Sequence, residues 1–105
     1  MSPKRKNNKK ALTLDQAVDL GEYNPKYLSK FQEFLKLSPH VQLQYIRKGL
    51  DIRRKQLLVQ WAELDRAIDS RLKPKIQIAK KNIEKQLKQI EKDREKYYYE
   101  YSQKF

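Results

Sequence analysis

The side chains able to do chemistry in this chain are few, and almost all of them are cations. There are 25 Lys and Arg against 13 Asp and Glu, a single histidine, His40, and no cysteine. His40 therefore has no thiol to activate and no second imidazole with which to share a metal. Two isolated glycines, Gly21 and Gly49, cannot build a phosphate-cradling loop. The carboxylates Asp51, Glu63, Asp65, Asp69, Glu84, Glu91, Asp93, Glu95 and Glu100 alternate with Lys and Arg at helical spacing. That pattern gives weak intrahelical ion pairs rather than an acid–base couple. Neither enzymatic activity nor a cofactor nor a metal site is expected. What remains is attraction of anions, since a net charge of +12 favours polyanions by releasing their condensed counterions.

Four groups of residues carry that expectation. Lys4, Arg5, Lys6, Lys9 and Lys10 lie within residues 1–10, which hold no acid and no run of apolar residues, and are expected to form a disordered tail. Pro3-Lys4-Arg5-Lys6 also resembles a nuclear-import signal. Arg47, Lys48, Arg54 and Lys55 recur at i, i+1, i+7 and i+8 and share one broad helix face. Arg53 and Arg94 are expected in one layer of a helix seam, where either both side chains extend outward to solvent or Glu91, Glu95, an anion or an acidic partner neutralises them. Tyr99, in the run Tyr97-Tyr98-Tyr99, is left for solvent or a partner once its neighbours pack inward.

The elements that position these groups follow from periodicity and punctuation. Leu43, Ile46, Leu50, Leu57, Trp61, Leu64, Ile68 and Leu72 make one apolar stripe at helical spacing. Ile76, Ala79, Ile83, Leu87, Ile90, Tyr97, Tyr101 and Phe105 make a second after Pro74. An antiparallel hairpin turning at Lys73-Pro74 pairs 43 with 105, 46 with 101, 50 with 97, 57 with 90 and 61 with 87. The rival is one continuous kinked rod, opposed by the cost of an interior proline. Thr13 with Gln16 reads as a capping box for a helix over 13–20, stopped by Gly21. Asn24-Pro25 and Ser38-Pro39 open helices over 25–37 and 39–73, and the last runs over 75–105. A second apolar face on the third helix (Val41, Tyr45, Ile52, Val59) is expected to receive the two short helices near the open end of the hairpin.

The composition agrees with thin layers of helix. Of 105 residues, 38% are hydrophobic and 36% charged, too little apolar material for a thick core. The expected architecture is all-α: a coiled-coil-like antiparallel hairpin with two short N-terminal helices and a basic tail. No apolar run is long enough for a membrane span, and an intracellular, cytoplasmic protein is expected, with a nuclear location the alternative if the source is eukaryotic.

Residues 12–28 carry a local resemblance to the helix-turn-helix opening of MerR-type and excisionase-type DNA-binding proteins. Ala17 and Gly21 stand four apart, Asn24-Pro25 takes the place of the usual Ser-Pro, and Leu28 falls on an apolar position. The resemblance implies a DNA-binding regulator in which Lys26, Tyr27, Ser29 and Lys30 open a major-groove helix, and a homodimer through the long helix. Gln16 and Lys30 depart from the motif, and no wing hairpin follows. Charge alone implies a broader role: a small non-enzymatic nucleic-acid-binding protein, RNA or DNA, held mainly through phosphates, such as an accessory subunit of a nucleoprotein assembly. A coiled-coil adaptor for an acidic protein surface is the alternative.

Overall fold

The computed structural model describes residues 12–67 and 70–105, all of them helical or connecting. Ile68, counted in the first apolar stripe, lies outside the described residues. Six elements follow in order: α1 (Leu14–Asp19), α2 (Pro25–Leu28), α3 (Gln32–Leu35), α4 (Pro39–Asp65), a 3-10 turn (Ser70–Leu72) and α5 (Lys73–Ser102). α4 and α5 lie side by side as an antiparallel hairpin, and the short helices pack near the N-terminal end of α4. None of the described helices is long and apolar enough to cross a membrane.

Local signals open the helices as anticipated. Thr13 and Gln16 form a reciprocal capping box, Asn24 Oδ1 accepts from the Lys26 N–H, and Ser38 Oγ accepts from the Val41 N–H. Pro25, Pro39 and Pro74 all stand in the first turn of a helix, where the missing N–H has no intrahelical partner to lose. Pro74 therefore starts α5 rather than making the bend, and α4 ends at Asp65, eight residues before Lys73. The expected helix over 25–37 is two single turns, interrupted across Ser29–Phe31. A four-residue α2 is too short to serve as a recognition helix, which removes the structural basis of the helix-turn-helix resemblance.

Moving the bend changes the register of the seam. Arg94 Nη2 donates to Asp51 Oδ1 at 2.9 Å, Trp61 Nε1 donates to Glu84 Oε2 at 3.0 Å, and Lys80 Nζ donates to Asp65 Oδ1 at 2.7 Å. Trp61, expected opposite Leu87 in the seam, is half-buried, its indole covered by the Lys80 ammonium 4.6 Å from the ring centroid. Phe105, expected against Leu43, stacks on His40 at 3.8 Å between centroids.

The dry part of the core lies at the head. Ile46, Leu50 and Leu57 of α4 are buried with Ile90, Tyr97 and Tyr101 of α5, and Leu14, Val18, Leu28 and Phe34 close over them. Toward the bend burial fades, and Leu72 and Ile78 are exposed. Tyr23 meets Tyr97 edge-on at 6.3 Å, and Tyr27 and Phe31 pack at the edge of the same cluster. Tyr98 lies outside it, with the Arg94 guanidinium 6.0 Å from its ring centroid.

Besides this apolar contact, polar side chains of α4 fasten the head through its backbone. Arg53 Nε donates to the Gly21 carbonyl at 3.3 Å, Gln56 Nε2 to the Leu20 carbonyl at 3.1 Å, and Gln42 Nε2 to the Phe34 carbonyl at 2.8 Å. The Leu20 and Gly21 carbonyls lie just past the end of α1, and the Phe34 carbonyl, in α3, also accepts from the Leu37 N–H at 3.1 Å. The receiving face therefore runs through Gln42, Tyr45, Gly49, Arg53 and Gln56. Of the expected face, Tyr45 packs on the core, while Ile52 is only half-buried and Val59 is exposed.

Candidate nucleic-acid interface

The cations singled out from sequence have unequal fates. Lys4, Arg5, Lys6, Lys9 and Lys10 lie outside the described residues. On α4, Lys48 pairs with Asp19 at 3.1 Å, and Arg54 approaches Glu91 at 4.0 Å. Arg47 and Lys55 are exposed and flank a shallow groove with Gln44, Asp51 and Ile52. Half of this expected patch is therefore matched by nearby acids. Exposed pairs of this kind contribute little to stability, yet they cancel the local field.

Arg53 and Arg94 do not face each other. Arg94 is neutralised by Asp51, two residues short of the position that would have brought it to Arg53, and its Nε is buried without a hydrogen-bond partner. Arg53 turns the other way, to the Gly21 carbonyl. The repulsion that would have called for a bound anion is absent.

Between the head and the hairpin lies a cleft of about 340 Å³, lined in part by Tyr23, Arg53, Gln86, Gln89, Asp93 and Tyr97. Its carboxylate is already engaged: Tyr23 donates its hydroxyl to Asp93 Oδ2 at 2.7 Å, and Gln89 Nε2 donates to Oδ1 at 2.9 Å. Burial, then the bond to Asp93, pushes the Tyr23 hydroxyl well above the usual tyrosine range, and burial does the same for Tyr97 and Tyr101. These phenols stay protonated, and those of Tyr23 and Tyr101 donate to Asp93 Oδ2 and Gln42 Oε1. No group of three or more His, Asp or Glu among the described residues could hold a metal ion.

The strongest cationic feature is one that reading for clusters missed. Lys81, Lys85, Lys88, Lys92 and Lys96 run along the back of α5 at spacings of four, three, four and four residues. At 100° per residue they occupy an arc of about 80°, and the line extends some 22 Å. All five are exposed, and none has an ion-pair partner among the described residues. Tyr99 continues the line and is 69% exposed, the most exposed of the large hydrophobic side chains described. α4 covers the opposite side of α5, so packing fixes this ridge toward solvent. The signal was periodic rather than local, since no two of these lysines are adjacent in sequence. Neither protein-family models, nor curated proteins, nor solved structures yield a match to the chain.

Proposed function

We propose that the protein binds nucleic acid through phosphate contacts, with the α5 lysine ridge as the folded docking surface and the basic tail as an auxiliary arm. It would act without chemistry of its own, as an accessory component of a nucleoprotein assembly. The observation that carries this reading is a ridge of five exposed lysines without an ion pair among the described residues. Five cations share one solvent-facing line, whereas the α4 patch is partly neutralised by Asp19 and Glu91. Counterion release rewards such a comb of charge whatever the base sequence.

The test compares binding of labelled oligonucleotides by the whole chain and by two charge-reversed variants. K85E/K88E/K92E is expected to lose roughly thirtyfold in affinity at low salt, equivalent to about 0.7 kcal/mol for each lysine. The logarithmic salt slope should fall by about 0.7 for each phosphate of a single strand that is no longer neutralised. R47E/K55E, on α4, should lose much less, and removal of residues 1–10 should weaken binding while preserving the difference between the two variants. Equal losses for the two reversals would refute the ridge as the docking surface. Failure of every oligonucleotide to compete with polyglutamate would favour an acidic protein partner instead.

A further inference from the structure

We infer that the ridge takes a single strand rather than a duplex, with Tyr99 stacking on an unpaired base; this deepens the nucleic-acid reading and rests on it. Tyr99 lies about 27 Å from Lys81 along α5, on the same line as the lysines. Its ring is 69% exposed, whereas Tyr97 and Tyr101 on the same helix are buried in the head. Tyr98 has the Arg94 guanidinium beside its ring. Tyr99 is thus the tyrosine of this run left without a structural duty, and it stands where a strand following the lysines would arrive.

A duplex keeps its bases stacked inside and offers this ring only sugar and phosphate. A single strand laid along the ridge offers a base face at the ring while its phosphates meet the ammonium groups. The ridge itself holds only Lys and Tyr. No Asn, Gln or Arg occupies its line between Lys81 and Tyr99, so the side chains that most often read base edges are missing from it. The inferred ligand is therefore a single strand of RNA or DNA recognised by charge and stacking, with little dependence on base sequence.

The test uses the full chain with a 20-nucleotide oligo(dT), its oligo(U) counterpart and a mixed-sequence duplex of equal length. Y99A is expected to weaken both single strands about tenfold, the scale of removing one base–aromatic stack, and to leave the duplex within twofold. Y99F, which keeps the ring, should bind as the parent does. If Y99A leaves single-strand affinity unchanged while K85E/K88E/K92E abolishes it, stacking is refuted and phosphate binding by the ridge stands. If K85E/K88E/K92E has no effect, the underlying nucleic-acid reading fails as well. Parent affinity for the duplex above that for either single strand would also overturn the inference. A difference between oligo(dT) and oligo(U) would overturn its indifference to the type of strand.

Discussion

Replacing Gly49 with Ala should destabilise the protein by about 2 kcal/mol, although Ala is worth about 1 kcal/mol more than Gly in an open helix interior. A Cβ built at Gly49 would stand 2.2 Å from the Glu22 carbonyl oxygen and 3.0 Å from Tyr23 Cβ. The obstructing atom is backbone, so it cannot rotate aside as the end of a long side chain would. Relief requires the 21–24 connection to lift off α4. That would pull Tyr23 from Asp93 and Tyr97 and stretch the Arg53 contact to Gly21. Two hydrogen bonds at about 1 kcal/mol each, with the aromatic contact, outweigh the gain in helix propensity. Gly21 adds to the constraint, since its φ of 95° sets the turn in a region that other residues rarely enter. Chemical denaturation of Gly49→Ala measures the effect. A stabilised variant would mean that the head does not touch α4 at this point.

The second large effect is expected at Phe34, which should cost about 3–5 kcal/mol when cut to Ala. Its side chain is 1% exposed, held by a helix of one turn that has little stability of its own. The carbonyl of the same residue accepts from Gln42, and Gln42 Oε1 accepts from the Tyr101 hydroxyl at 3.3 Å. Phe34 thus ties α3 to both arms of the hairpin. Its neighbour Leu35 is 60% exposed, and Leu35→Ala should change stability by less than about 0.5 kcal/mol. For a domain of this size, several kcal/mol would lower the melting temperature by tens of degrees. Similar thermal stability for the two variants would contradict the packing of the head.

Much of the fold is legible in the residues themselves. The two apolar stripes fix a pair of facing helices, and Thr13, Asn24 and Ser38 start helices where their side chains can accept backbone N–H groups. The seam register is harder to read, because Pro74 suits a bend and a first helical turn equally well. Taking it as a bend displaces the pairing and sets Arg53 opposite Arg94. The helix over 25–37 fails for a different reason. Phe31 and Phe34 satisfy helical spacing, yet the chain breaks between α2 and α3, and its apolar side chains still reach the core from separate turns.

The attachment of the head is least visible. Arg53, Gln56 and Gln42 bind backbone carbonyls, and a backbone acceptor leaves no mark in a pattern of side chains. Gly49 does carry a signal, since glycine within a long helix is costly unless another backbone must come close. On the interface side, adjacent basic residues draw attention to Arg47-Lys48 and Arg54-Lys55. The lysine line on α5 emerges only when positions are projected around the helix axis and the side facing α4 is known.

The most direct examination of the ridge is lysine acetylation followed by mass spectrometry, with and without a saturating single-stranded oligonucleotide. Lys81, Lys85, Lys88 and Lys92 are expected to lose most of their reactivity in the complex, while Lys26, Lys30 and Lys36 of the head keep theirs. Protection of the head lysines together with unchanged reactivity along α5 would contradict the account.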